Sequence, residues 1–253
     1  MTTDYTALGE LVSESRQLLD LIKGGAINTM QTEHTQALAK FNADATAFLA
    51  NMQDAVPNLA LSGNQTLQVA EGATIPSLFG ANERVTMTRV TAIDGQPQLR
   101  TAEMKAMLAD IEAGVKTQFP DFSILANNHY RDSFNIFRVS WDFSNYDKTP
   151  YLCYPLSNSV GIPIHNIKPL TSAALIKLES GSLIKGNSYF AEGAVLGEWR
   201  YCYTMHEDTH FGSYIYAHPF PASETGSFLM ALPVVATGYL NRPEKLFTIP
   251  EIG

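Results

Sequence analysis

Cysteine is nearly absent from this chain: Cys153 and Cys202 are the only two in 253 residues. A disulfide framework is therefore excluded as the basis of the fold. Both sit among aromatic residues, in Tyr-Leu-Cys-Tyr and Tyr-Cys-Tyr, and read as buried, reduced thiols. Neither has a histidine and a carboxylate next to it in sequence, so neither reads as a nucleophile. Basic charge is also scarce, with 17 Lys and Arg against 25 Asp and Glu and a net charge of −8. That balance argues against nucleic acid or an anionic membrane as a partner. No apolar run approaches a membrane span, so no membrane insertion is expected. The N-terminus lacks the basic-then-apolar pattern of a secretory signal, which predicts synthesis in a cytoplasm. There is no G-x-S-x-G elbow, P-loop or dinucleotide fingerprint, and no cofactor or metal is expected. Aromatic residues are rare at first. Of 26, only Tyr5, Phe41, Phe48, Phe79 and Phe119 precede residue 121.

What the first 56 residues do contain is a periodic apolar stripe. Leu8, Leu11, Ser15, Leu18 and Ile22 recur at spacings of three and four. After Gly24-Gly25 the pattern resumes two residues out of phase with Ile27, His34, Leu38, Phe41, Ala45, Phe48, Met52 and Ala55. Such a stripe lies along one side of an α-helix and is too narrow to form a core alone. Two readings follow. Identical stripes from sister chains cover it, making Leu8, Leu11, Leu18, Ile22, Ile27, Leu38, Phe41, Phe48 and Met52 oligomerisation residues. Alternatively, two helices joined at the glycine pair pack within one chain. His34 reads as a tolerated core histidine rather than a ligand.

The phrase Leu18-Leu19-Asp20-Leu21-Ile22-Lys23-Gly24-Gly25-Ala26-Ile27, followed by Met30-Gln31 and an Ala- and Phe-rich helix, resembles the N-terminal region of bacteriophage tail-fibre and related virion-appendage proteins. The likeness covers about the first 56 residues and brings no catalytic residues. It implies a helical attachment segment ahead of a variable β-rich receptor-binding portion. The protein would then be a non-enzymatic virion structural subunit, a homotrimer contacting other virion proteins through its N-terminus. Its host contact would be a surface glycan or outer-membrane protein, and its location the virion, after synthesis in a bacterial cytoplasm. A virion-borne polysaccharide-degrading enzyme and a capsid fibre or decoration protein are the alternatives.

The chain divides into a helical stalk over 1–56, a small α/β connecting region over 57–120 and a β-rich head over 121–253. The predicted class is α+β, with a sandwich or jelly-roll-like head. Pro57 closes the stalk. In the connecting region, 67–70 and 84–92 read as strands, and Asp94-Gly95 as a turn. Thr101 is a candidate N-cap for a helix over 102–118, with Glu103 in its first turn. Met104, Met107, Leu108, Ile111 and Val115 supply that helix's apolar face. In the head, strands are expected at 122–127, 134–141, 174–178, 188–196, 198–205, 211–217 and 228–236. Ser157-Asn158-Ser159, Gly181-Ser182 and Gly186-Asn187-Ser188 separate them as loops.

Two features of the head carry candidate chemistry. His206-Glu207-Asp208-Thr209-His210 satisfies the H-E-x-x-H zinc-protease spacing, which works only on a helix that sets both imidazoles on one face. Its flanks are strand-like and aromatic, so the segment reads as the polar turn of a hairpin. Non-catalytic metal binding by His206 and His210 is the lesser reading. Strand alternation puts Trp199, Tyr201 and Tyr203 on one face, with Arg200, Cys202 and Thr204 on the other; Tyr214 and Tyr216 share a face nearby. These rings are either core or a stacking platform for a sugar, with Glu207, Asp208 or Asn187 orienting it. No pair of carboxylates is singled out by spacing for glycoside hydrolysis.

Overall fold

One helix, α1 (Thr3–Ala55), runs unbroken through the first 53 described residues of the computed structural model. The model describes residues 3–55, 58–125, 128–130, 132–157, 161–163, 169–206 and 214–250. The expectation of two helices joined at Gly24-Gly25 is thereby corrected. Glycine lowers helix propensity by about 1 kcal/mol against alanine but does not forbid the helical backbone, and no proline interrupts the segment. At 1.5 Å per residue the helix is about 80 Å long. Thr29, Thr32, Thr35 and Thr46 each turn the hydroxyl back onto the carbonyl four residues earlier, so these side chains are satisfied within the helix itself.

Contacts divide the chain into two units, Met1–Ala55 and Val56–Gly253. The second unit contains β1 (Phe79–Ala81), β2 (Val85–Ile93), α2 (Ala102–Val115), β3 (Phe134–Asp142), β4 (Cys153–Pro155) and β5 (Ile162–Pro163). It continues with β6 (Leu170–Ser180), β7 (Trp199–His206), β8 (Tyr214–Ile215) and β9 (Thr225–Thr237). Five of these strands form one antiparallel sheet in the order β2-β3-β9-β6-β7. Residues 57–120 are therefore not a separate connecting region: β2 is an edge of this sheet, and α2 packs on β7 at the opposite edge.

Both faces of the sheet are apolar, which is why β6 and β9 are buried almost continuously rather than alternately. One face carries Ile136, Leu175, Trp199, Tyr201 and Leu229 beneath α2, whose Leu108, Ile111 and Val115 are fully buried. The other carries Phe137, Val139, Ile176, Cys202 and Met230 beneath loops and the short pairs β1-β4 and β5-β8. A jelly roll or a sandwich of two large sheets is thus not what the described residues form. α2 begins where its sequence predicts, with the Thr101 side chain accepting a hydrogen bond from Met104 N. Stretches 67–70, 122–127 and 188–196 are not strands in their described residues: Leu67 and Tyr189 take left-handed backbone, and a single 3-10 turn spans Tyr189–Ala191.

A proline sits inside the central strand. Pro233 cannot donate to a ladder, and the strand accommodates it with a bulge: Ala173 pairs with Val234, but Leu175 pairs with Ala231. Leu232 takes φ +51° there. Beyond the bulge, segment 59–62 replaces β3 as the neighbour of β9, with Leu61 N donating to Val235 O and Val235 N donating to Ser62 Oγ.

Candidate functional site

The apolar stripe of α1 is exposed along its described length. Leu8, Leu11, Leu18, Ile22, Ile27 and Leu38 all face solvent, and Phe41 and Phe48 are 69% and 62% exposed. The side chain of Met52 lies outside the described residues. Because α1 is continuous, the two-residue phase shift has a geometric consequence. Ile22 and Ile27 are five positions apart and stand about 140° apart round the helix axis. The stripe is therefore two stripes on different sides of one rod. The N-terminal stripe runs from Leu8 to Ile22 and is widened by Val12 and Leu19. The C-terminal one repeats every seven residues at Ile27, His34, Phe41 and Phe48, with Leu38 and Ala45 between. Asn28, Gln31, Thr32, Thr35 and Gln36 form a polar patch beside the start of the C-terminal stripe.

In the second unit, the predicted aromatic platform is corrected. Trp199 and Tyr201 are fully buried and cannot reach a ligand. Trp199 packs its backbone against Gly114 of α2 and donates from Nε1 to Asp110 Oδ2 at 2.9 Å. Tyr201 donates its hydroxyl to Leu240 O at 2.6 Å, and burial raises its pKa well above the ordinary tyrosine value. Tyr203 stacks on Tyr201 at 5.3 Å as part of the same packing. The Tyr214 side chain lies outside the described residues. Tyr216 is half-exposed and joins a ring cluster with Tyr154.

His206 ends strand β7, opposite Leu170, so the helical setting required by the zinc-protease spacing is absent at its first residue. Its Nε2 lies 3.2 Å from Ser172 Oγ, its ring lies 5.6 Å from Tyr189, and burial lowers its pKa. Glu207, Asp208, Thr209 and His210 lie outside the described residues. Cys153 and Cys202 are buried and free; burial pushes the Cys153 thiol up to about 12 and raises Cys202 further in the same direction. Neither thiol is a nucleophile in that state. Among the described residues no group of three His, Cys, Asp or Glu side chains is placed to hold a metal.

The structure instead assembles a ring-lined depression that sequence spacing did not single out as a site. Leu152 N donates to Pro219 O, laying 151–153 beside 217–220. Along the latter, Ala217 and Pro219 are buried while Tyr216, His218 and Phe220 are half-exposed, the alternation of an extended chain. The rings form a continuous series: Tyr216 to Tyr154 at 4.9 Å, Tyr151 to His218 at 5.1 Å, and His218 to Phe220 at 4.7 Å. Tyr154 joins the two ends, 6.1 Å from Tyr151 and 5.8 Å from His218. The β1-β4 pairing sets Ala81 opposite Cys153, so Asn82 and Glu83 come alongside Tyr151. Buried Asn82 donates from its amide to Tyr146 Oη at 3.0 Å and fixes that ring. Lys148 approaches Glu83 at 3.4 Å and lies 5.8 Å from the Tyr146 ring centre. Asn82, Glu83, Tyr146, Lys148, Tyr151, His218 and Phe220 border an open depression of about 710 Å³. His218 Nδ1 is buried without a hydrogen-bond partner among the described residues, and burial lowers the ring's pKa.

The signal for this site was present as period two in Tyr216-Ala217-His218-Pro219-Phe220 and as paired tyrosines in Tyr151-Leu152-Cys153-Tyr154. What the sequence did not contain was the pairing that brings the two stretches together. Comparison with known proteins returns no matching family model, no matching curated protein and no matching solved structure.

Proposed function

We propose that the protein is a homotrimeric structural subunit of a bacteriophage tail fibre or similar virion appendage, joined through α1 and touching a host surface through its β-rich unit. The observation that supports this most directly is a 53-residue helix whose large apolar side chains are exposed from Leu8 to Phe48. Isolated helices draw little stability from propensity, and a helix carrying this much apolar surface gains it by burying that surface against other helices. The continuous rod refines the assignment. The C-terminal stripe sustains the seven-residue repeat long enough for a coiled coil, so it trimerises. The N-terminal stripe is shorter and broader and faces another side, so it attaches to other virion proteins. The resemblance of the Leu18–Ile27 phrase to appendage proteins points the same way.

Light scattering on the intact chain tests the reading. A trimer at micromolar concentration is expected, and removing residues 1–55 should leave a soluble monomeric head. A monomeric intact chain, or an unchanged trimer after the deletion, overturns it.

A further inference from the structure

The depression beside Tyr151 has the chemistry of a sugar site, and we infer that it binds a neutral saccharide, resting on the surface-contact role proposed above for where that saccharide comes from. Its walls are ring faces and edges from Tyr146, Tyr151, His218 and Phe220, and among the described residues Ala81 is its only aliphatic lining residue. A purely apolar ligand finds few partners there. A pyranose presents an apolar C–H face to such rings and hydroxyls around its rim, which polar groups then orient.

Glu83 and Lys148 supply those polar groups. They are 65% and 67% exposed and 3.4 Å apart, a loose surface pair of the kind that contributes little to stability. An acceptor next to a donor matches two neighbouring hydroxyls, and exchanging the ion pair for them costs little. Because the two charges cancel, the site has no reason to prefer an anionic or cationic ligand. Buried Asn82 holds Tyr146 in place before any ligand arrives, which reduces the entropy lost on binding. The volume of about 710 Å³ lies within the usual range for small-ligand sites and exceeds what one sugar ring fills. The ring series continues past the depression through Tyr154 to Tyr216, so a chain of sugars has somewhere to extend.

Calorimetric titration of the intact chain with maltohexaose, cellohexaose, laminarihexaose and mannohexaose tests the inference. At least one should bind saturably. Tyr151→Ala and Phe220→Ala should each weaken that binding about tenfold. Lys148→Met, at an exposed position that does not threaten the fold, should weaken it as well, with circular dichroism unchanged in all three. No binding of any of the four at millimolar sugar overturns the site, as does binding that survives Tyr151→Ala and Lys148→Met. Tighter binding of a hexagalacturonate than of every neutral sugar overturns the neutral assignment. A chain that binds sugar but runs as a monomer keeps this site and overturns the trimer, whereas a trimer that binds none overturns the site alone.

Discussion

Single residues show which side chains are fixed for structure and which are left to titrate. Glu112 is a buried carboxylate, 5% exposed. Burial pushes its pKa up, but hydrogen bonds from Lys116 and from the amides of Ile124 and Leu125 outweigh it, and the net shift is downward. It anchors the turn that follows α2, which is why Phe122 and Ile124 are buried without belonging to a strand. His206 and His218 behave in the opposite sense. Burial lowers both from the ordinary value of 6.5, with no carboxylate hydrogen-bonded to either ring among the described residues. Folding thus disfavours their protonated forms. Their contribution is complete above pH 6.5 and declines as pH falls from there towards the depressed folded values. Glu112 and Glu179 are held below 4.5 and titrate further down. Urea denaturation of the intact chain, read by the fluorescence of Trp141 and Trp199, should give a lower midpoint at pH 5.5 than at pH 7.5. In a His206→Asn, His218→Asn double variant that difference should shrink.

Elements differ in how far their own residues announce them. β3, β6, β7, β9 and α2 were legible because each carries its signal locally: β-branched and aromatic runs bounded by turn residues, or a capping threonine ahead of an apolar face. β6 and β9 extend beyond the stretches 174–178 and 228–236 that the sequence predicts, since central strands reach residues such as Thr171 and Ser172 that are buried by their neighbours rather than by their own hydrophobicity. At the β7 edge, Gln118 accepts from Tyr201 N and donates to Tyr201 O, taking the place of a further strand. Nothing in sequence spacing connects residues 118 and 201. The glycine pair of α1 misled for a related reason, because its effect is energetic and not geometric. A Cβ added at Gly24 or Gly25 meets nothing within 4 Å in the single chain. Gly24→Ala with Gly25→Ala should therefore stabilise the helix by about 0.5–1 kcal/mol per site. Thermal melting followed at 222 nm checks it: the midpoint should rise. A fall would show that another helix lies against the glycines.

At the scale of the whole molecule, the two stripes of α1 set a constraint that no single coiled coil satisfies. In a parallel bundle with a seven-residue repeat, a shift of two residues carries the seam to roughly the opposite side of the helix. The proposed trimer would therefore cover one stripe and leave the other for a different partner, unless the rod is locally rewound between Ile22 and Ile27. Length favours the C-terminal stripe for self-association, and the width added by Val12 and Leu19 favours docking of the N-terminal one on a dissimilar surface. The two assignments separate by substitution. In the proposed trimer, Phe41→Asp would place three carboxylates in one apolar layer, which is costly without partners, and should dissociate it in light scattering. Under the proposed appendage role, Leu18→Asp should leave the trimer intact while abolishing incorporation into particles, read by immunoblot of purified virions. Dissociation by Leu18→Asp with Phe41→Asp still trimeric would exchange the two roles. If neither substitution alters assembly or incorporation, the exposed stripes are not what joins the subunits.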